Sequence, residues 1–430
     1  MTTLATTTVS GVEAQERDRP ILDVKDLHVH YPVKTSLIQR IYHRRKAFVH
    51  AVDGISFSLE QGEIFGLVGE SGCGKTTTGR AVLRLVDPTS GKITFDGTDI
   101  TRMKEKRLRP LRTQMQAIFQ DPHASLNPAM TIGRAIGHPL KIHGLVWREE
   151  DAKARVLEIM EEVGLTPAEQ LYDKFPSDLS GGQKQRAAIA RAIILVPRLI
   201  VADEPVAMLD MSIRARVLEL MLNLKLKFNL TYLFITHDLA TAKFLCDRIA
   251  IMYLGRIVEM GPSKSVYADP KHPYTKALLQ AIPVPDPRRR APKVLPKGEV
   301  PDATDPPIGC RFHPRCPAVL PTCGWEGRDF IDFLEARRTD LEIAKKDQAA
   351  LGSLALWKAN GVVAEYHSQH ESLRTAIAYV RSMLKEAPTP LARAIEGVNE
   401  VDGKLVVRFR TPDLLAPKDV EGRLVECLLY

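Results

Sequence analysis

Nowhere in its 430 residues does the chain hold an apolar run long enough to cross a bilayer, which takes about 20 residues as a helix. Any meeting with a membrane should therefore go through a partner. The start, Met1 to Ser10, is threonine-rich and has neither a basic end nor an apolar centre. That excludes a secretory signal and leads to the expectation of a cytosolic protein. Aromatics make up only 6% of the residues, and none interrupts the basic clusters Arg44–Lys46, Lys104–Arg112 and Arg288–Arg290. The net charge of +8 therefore reads as solvated faces beside a headgroup layer. It does not read as a groove in which aromatics stack on bases, so nucleic acid is not an expected partner. Internal repeats and C-x2-C pairs are also lacking.

What is present is ordinary in bulk and specific in detail. The hydrophobic fraction of 44% and charged fraction of 26% suit a globular chain of one large domain with additions, or of two domains. Residues 1–19 read as a disordered tail. Strand-like patterning begins at Ile21 and returns at Ala51–Leu59, Ile64–Val68, Leu199–Ala202 and Tyr232–Thr236. Helical spacing covers Lys75–Leu85 and residues 150–164. Strands alternating with helices imply an α/β core with a largely parallel sheet. The texture changes at Pro283, where eight prolines reach to Pro307; such a stretch is a linker or an extended wrap. Residues 326–412 read as helix-rich and charged, for example Phe330–Lys346 and Leu373–Lys385.

Gly69-Glu70-Ser71-Gly72-Cys73-Gly74-Lys75-Thr76 fits the phosphate-loop pattern G-x-x-x-x-G-K-[ST]. The glycines let successive backbone N–H groups turn inward around phosphate oxygens, and the following helix points its positive end at the same anion. Lys75 supplies charge to the outer phosphates and the Thr76 hydroxyl can ligand Mg²⁺. The loop follows an apolar strand and opens a helix, which is the context the motif requires. Cys73 reads as a small filler at a variable position. Farther on, the apolar Leu199–Ala202 ends in Asp203 and Glu204. An Asp there can hold Mg²⁺, and the adjacent Glu can polarise an attacking water.

Between these features, Leu179-Ser180-Gly181-Gly182-Gln183 precedes the helical stretch Lys184–Leu195 and resembles the signature motif of ABC ATPases. Gln120 in Ile118-Phe119-Gln120-Asp121-Pro122 resembles the Q-loop, His237 in Ile235-Thr236-His237-Asp238 the switch histidine, and Ala207–Asp210 the D-loop. The resemblance implies ATP and Mg²⁺ as cofactors, nucleotide contacts from Gly69 through Lys75, Thr76 and Thr77, and Mg²⁺ near Thr76, Gln120 and Asp203. It implies Glu204, His237 and Gln120 as the catalytic group, with Tyr31 stacking on adenine and Phe48 in reserve. Ser180, Gly181, Gly182 and Gln183 would serve ATP bound to a second subunit. The implied fold is a RecA-like α/β core with an antiparallel β subdomain and a helical signature subdomain. Serine and alanine are usual where Ala207 and Met208 stand, so the coupling between two sites is the property in question.

Further stretches, Ala124–Pro128, His272–Leu279 and Gly309–Pro317, look like the ATPase subunits of dipeptide and oligopeptide importers. That resemblance implies a second ATPase chain of a different kind, two membrane permeases, an extracytoplasmic solute-binding protein, and a place on the cytoplasmic face of the membrane. Nickel and sugar importers share the ATPase type. A soluble ABC ATPase would carry two cassettes or a coiled-coil insert. A metal-binding or redox regulatory module with a vestigial ATPase is disfavoured by the intact motif residues. Expected domains are a nucleotide-binding domain over 20–283, a cysteine-bearing region over 284–325 plus 413–430, and a helical insertion over 326–412. Cys310, Cys316 and Cys323 are spaced C-x5-C-x6-C, and clustered cysteines in the cytosol suggest a metal before a disulfide. The resemblance implies a 4Fe-4S cluster completed by Cys427; Zn²⁺ is the alternative.

Overall fold

The computed structural model describes residues 19–33, 48–282, 296, 298–367 and 373–430. The expected tail, the clusters Arg44–Lys46 and Arg288–Arg290, and most of the proline linker lie outside them. The chain divides into two compact units, Met1–Ala268 and Asp269–Tyr430.

In the first unit, β1 (Leu22–Pro32) and β2 (Phe48–Leu59) pair antiparallel, and β4 (Ser90–Phe95) and β5 (Thr98–Asp99) extend the sheet in the order β2-β1-β4-β5. The apolar run Ile64–Val68 forms β3, buried at every position. It lies parallel to β8 (Thr231–Thr236) on one side and β9 (Arg248–Tyr253) on the other. β7 (Leu199–Asp203) pairs parallel with β8, and β6 (Met115–Ile118) with β7. The antiparallel β10 (Arg256–Pro262) follows β9. Continuous apolar strands of this kind must be covered on both faces. Helix α1 (Lys75–Val82) packs on the sheet; a Cβ at its Gly79 would meet Ile235 and Val201 side chains at 2.7 and 2.9 Å. A helical layer holds α2 (Ile132–Ile142), α3 (Glu149–Glu162) and α4 (Gly181–Ile193), and α5 (Met211–Phe228) links β7 to β8.

The unit boundary falls ahead of the expected Pro283. The reason is local: Tyr274, fully buried, packs its ring 5.3 Å from that of Phe312, and His272 lies 5.9 Å from the same ring. The helix Pro273–Ala281 thus belongs with the cysteine-bearing loop.

Residues 326–412 are not purely helical. The stretch expected as one helix, Phe330–Lys346, is divided into α6 (Gly327–Arg337) and α7 (Leu341–Leu351). α8 (Leu373–Met383) and α9 (Thr389–Ala394) follow. A four-stranded antiparallel sheet, β11 (Trp357–Asn360), β12 (Val363–Tyr366), β13 (Ile395–Val401) and β14 (Lys404–Phe409), has the order β11-β12-β14-β13. Its tight turns rest on Gly361 and on Asp402-Gly403, all at positive φ, the backbone that two-residue hairpin loops demand. The module's core, in which the rings of Phe330, Trp357 and Tyr366 meet at tilted angles with centroid distances of 5.3 and 5.2 Å, also takes in Trp325 and, at its edge, Val319 of the cysteine-bearing loop.

The module's two ends meet. Asp413 N–H donates to the Thr322 carbonyl at 3.3 Å, and a Cβ at Gly309 would lie 3.1 Å from Pro412. Adjacent ends and a largely self-contained core are the conditions under which an inserted domain can be removed. Replacing residues 327–410 by a short glycine-serine bridge should leave ATP affinity within about twofold, read by fluorescent-nucleotide titration. A well-folded deletion variant that had lost ATP binding would tie the module to the nucleotide site.

Candidate functional site

The glycine loop is shaped by close backbone approaches. A Cβ at Gly69 would lie 2.2 Å from the Met252 carbonyl oxygen, and one at Gly74 would lie 2.0 Å from that of Ala51. Gly74 also adopts φ +108° as the N-terminal cap of α1, a conformation side chains other than glycine's rarely allow. Lys75 is 5% exposed and its Nζ donates to the carbonyls of Gly69 and Glu70, both at 2.8 Å. The ammonium is thereby held inside the curve of the loop. Cys73 is buried there too, and burial pushes its thiol pKa up despite the neighbouring Lys75, so it is no thiolate nucleophile.

Thr76, at the start of α1, donates its hydroxyl to Asp203 Oδ1 at 3.0 Å. Burial raises the Asp203 carboxyl above the usual range, with the Thr76 hydrogen bond acting the other way. A carboxylate that is costly to leave charged, beside a hydroxyl oxygen, suits a hard cation such as Mg²⁺. Glu204 follows at φ +48°, left-handed backbone that a non-glycine residue seldom adopts. Its N–H donates to the Ile235 carbonyl at 2.9 Å. This turn aims the carboxylate between two strand ends: Gln120 Nε2 lies 3.1 Å from Oε2, and His237 Nδ1 lies 3.0 Å from Oε1. Strain of this sort is worth about 1–3 kcal/mol and is retained where the surroundings enforce it.

Gln120, Thr76 and Asp203 share the lining of a cavity of 440 Å³ with Arg80, Asp121, Ser125 and Arg191. Arg80 and Arg191 escaped the sequence reading, while Asp121 and Ser125 fall in stretches it quoted without giving them a role. Arg191 lies on the same helix α4 that Ser180 caps, and it donates to the Ser125 carbonyl. A basic residue eleven positions into a helix gives no signal of that reach.

Ser180 and Gln183 form a reciprocal capping box: Gln183 N–H reaches Ser180 Oγ at 3.3 Å, and Ser180 N–H reaches Gln183 Oε1 at 2.9 Å. Gly181 is exposed and Gly182 buried. The box belongs to the helical layer, and its bonds run within itself rather than to Lys75 or Thr76. Tyr31 and Phe48, 37% and 38% exposed, sit at the shared end of β1 and β2, where Tyr31 faces Val49 and Pro32 faces Phe48. Met208 is 63% exposed.

In the second unit, burial pushes up the thiol pKa of Cys310, Cys316 and Cys323, that of Cys316 to about 12, and Cys427 is close enough to raise all three further. Each of those three accepts a backbone N–H, from Phe312, Ala318 and Leu320 respectively. Among the described residues, no three of the four thiols lie within 4.8 Å of one another.

The ABC transporter family model matches residues 52–207, and the model of the oligopeptide/dipeptide transporter C-terminal region matches 258–323. The oligopeptide transport ATP-binding protein AppF of Bacillus subtilis is 46% identical over 307 residues, covering 70% of this chain and 91% of AppF. YkfD of the same organism is 45% identical over 327 residues, covering 75% of this chain and 94% of YkfD. Among solved structures, CbiO1 of Clostridium perfringens, part of an ABC transporter complex, aligns at a TM-score of 0.50 and 28% identity, over 58% of this chain and 91% of its own.

The loop's glycines should differ in what they tolerate. Gly72→Ala, where a Cβ meets nothing within 4 Å, should cost about 1–2 kcal/mol for its positive φ. Gly74→Ala adds a collision with Ala51 and should cost more than about 3 kcal/mol. Urea unfolding of both variants checks the order; equal losses would show that the close approach is not enforced.

Proposed function

The chain belongs to the ABC transporter ATPases, which hydrolyse ATP, and from that premise we propose that it is the ATPase subunit of a membrane importer for dipeptides or oligopeptides. The observation that carries the catalytic part is the Glu204 carboxylate held between Gln120 and His237, next to the Thr76–Asp203 pair. In this reading Thr76 and Asp203 hold Mg²⁺, with Gln120 beside it. The loop from Gly69 through Glu70, Ser71, Gly72, Cys73 and Gly74 to Lys75, Thr76 and Thr77 cradles the phosphates. Glu204 orients and deprotonates the attacking water, His237 fixes that carboxylate, and Gln120 reports on the γ-phosphate. Tyr31 offers the adenine its exposed ring, with Phe48 beside it.

Ser180, Gly181, Gly182 and Gln183 have no task at their own chain's phosphate loop. A helix N-terminus with two glycines is an anion site, so these residues complete the ATP site of a second ATPase chain. Ala207 carries no hydroxyl for a bond across that dimer, a loss of about 1 kcal/mol net. The match over 258–323 supports a peptide cargo; a nickel or sugar importer is the alternative. None of the described helices is long and apolar enough to cross a membrane. Transport thus requires permease subunits, with this chain peripheral on their cytoplasmic side and a solute-binding protein outside.

The four cysteines fit a 4Fe-4S cluster better than zinc. Tetrahedral zinc with bonds of about 2.3 Å would draw thiolates to roughly 3.8 Å of each other. A larger cluster spreads its ligands, and backbone N–H groups on three sulfurs suit thiolates bound to iron. Cys310, Cys316, Cys323 and Cys427 would hold it, and it would supply a structural cross-link. Purified without oxygen, the protein should be brown with iron and acid-labile sulfide, and Cys427→Ser should lower both. A colourless anaerobic protein with stoichiometric zinc would overturn the cluster.

Glu204→Gln should bind ATP unchanged while turnover falls by about 10²–10⁴-fold, since the amide keeps the shape and loses the basicity. Lys75→Ala should lose nucleotide affinity instead. Steady-state phosphate release and ATP binding, measured on the chain with its partner ATPase, separate the two; undiminished hydrolysis by Glu204→Gln would remove it from the water-activating role.

A further inference from the structure

Outside the nucleotide site, β1 and β2 bring together a second set of ligand-bearing side chains. His28 and His30 are two residues apart on β1 and share one face. The antiparallel register sets Asp53 opposite His28 and His50 opposite His30. His28, His30 and Asp53 therefore converge on one face of the β1–β2 pair, with His50 beside them. His28 Nδ1 and His30 Nε2 each lie 2.9 Å from Asp53 Oδ1, and the ligand atoms of His28, His30 and Asp53 all lie within 4.8 Å of one another.

Two further observations favour a cation over a plain hydrogen-bond network. His50 Nδ1 is buried and has no hydrogen-bond partner, yet it sits 3.6 Å from Asp53 Oδ2, aimed at the cluster. The other ring nitrogen of His28 faces Asp26 Oδ1 at 3.1 Å, the carboxylate–histidine arrangement that orients imidazoles bound to metals. Bonds of about 2.0–2.1 Å in a tetrahedron place donors roughly 3.3 Å apart, close to the 2.9–3.6 Å that separate each of the three histidines from an Asp53 oxygen. The four are largely shielded, their side chains 16–31% exposed.

We propose that His28, His30, His50 and Asp53 form a binding site for a divalent transition-metal ion, Zn²⁺, distinct from the Mg²⁺ of the nucleotide. Imidazoles with a single carboxylate select borderline metals over Mg²⁺, which prefers an all-oxygen octahedron. The ion would clamp β1 to β2 just before Tyr31 and just after Phe48.

The test uses the full-length chain without a histidine tag, freed of transition metals. It is titrated with Zn²⁺ against a chromophoric chelator and with Co²⁺ by absorbance, both in excess Mg²⁺. Wild type should bind one equivalent more than His30→Gln. Co²⁺ in that equivalent should show visible ligand-field bands without the sulfur charge-transfer band that the cysteines would give. Asp26→Asn, which keeps a residue tolerant of the φ of +46° found there, should weaken Zn²⁺ by about 10–100-fold. Far-UV circular dichroism checks folding, and should His30→Gln misfold, Asp26→Asn decides. Unchanged stoichiometry and affinity in the folded variants, or a thiolate band on the extra equivalent, would overturn the site.

Discussion

Parallel registration of four buried strands is the constraint on which the nucleotide site depends. Val68 lies beside Thr236, Asp203 beside Ile235, and Ile118 beside Ala202. Because the strands run the same way, everything that follows them emerges on one edge of the sheet: the glycine loop after β3, Glu204 after β7, His237 after β8 and Gln120 after β6. This is the general location of ligand sites in open parallel sheets. A one-residue slip of β7 would turn Asp203 away from Thr76, and no loop adjustment could restore the pair. The apolar composition of these strands, which looks like mere core, is thus what sets the distances between charged groups.

Within that frame, the acidic pair is divided by backbone rather than by chemistry. Asp203 ends the strand in extended conformation and is buried against Thr76. Glu204 turns left-handed and reaches the more open side, toward a histidine that is 56% exposed. Burial raises the first carboxyl, which makes a cation its natural partner. The second, only partly covered, is placed to meet water. Two adjacent acids meet different environments because one φ angle separates them, which supports the different tasks proposed for them.

Much of this was legible in the sequence because the signals are local. A five-residue apolar strand, a glycine loop and a Lys-Thr pair stand contiguous at Ile64–Thr76, and spacing alone locates them. Gln120, Glu204 and His237 each follow a strand, so a parallel sheet suffices to gather them. The reading failed where meaning depends on pairing across distance. Arg191 is one basic residue among many until α4 packs beside Ser125. His28, His30, His50 and Asp53 become a cluster only through the register of β1 with β2. In the 326–412 module the helical pattern of Leu373–Lys385 hid short strands. Yet Asn360-Gly361 and Asp402-Gly403 were hairpin signals in plain view, each with a valine beside it.

The cysteine-bearing unit raises a separate energetic question. Burial alone drives the thiols of Cys310 and Cys316 far up, and mutual repulsion adds to it. As free thiols, the four would be small apolar groups of modest packing value. The surrounding loops point the other way, for three backbone N–H groups are turned toward sulfur, a weak acceptor for a neutral thiol and a good one for a thiolate. Backbone donors facing sulfur in a buried place support the proposed metal centre among the cysteines. The same centre would hold Cys427 to the Gly309–Cys323 loop. It would also explain how a large module can be carried between Cys323 and Cys427 without loosening the loop. The ends of the module are already joined by Asp413 and Thr322, and a bond through the cluster would close the loop a second time.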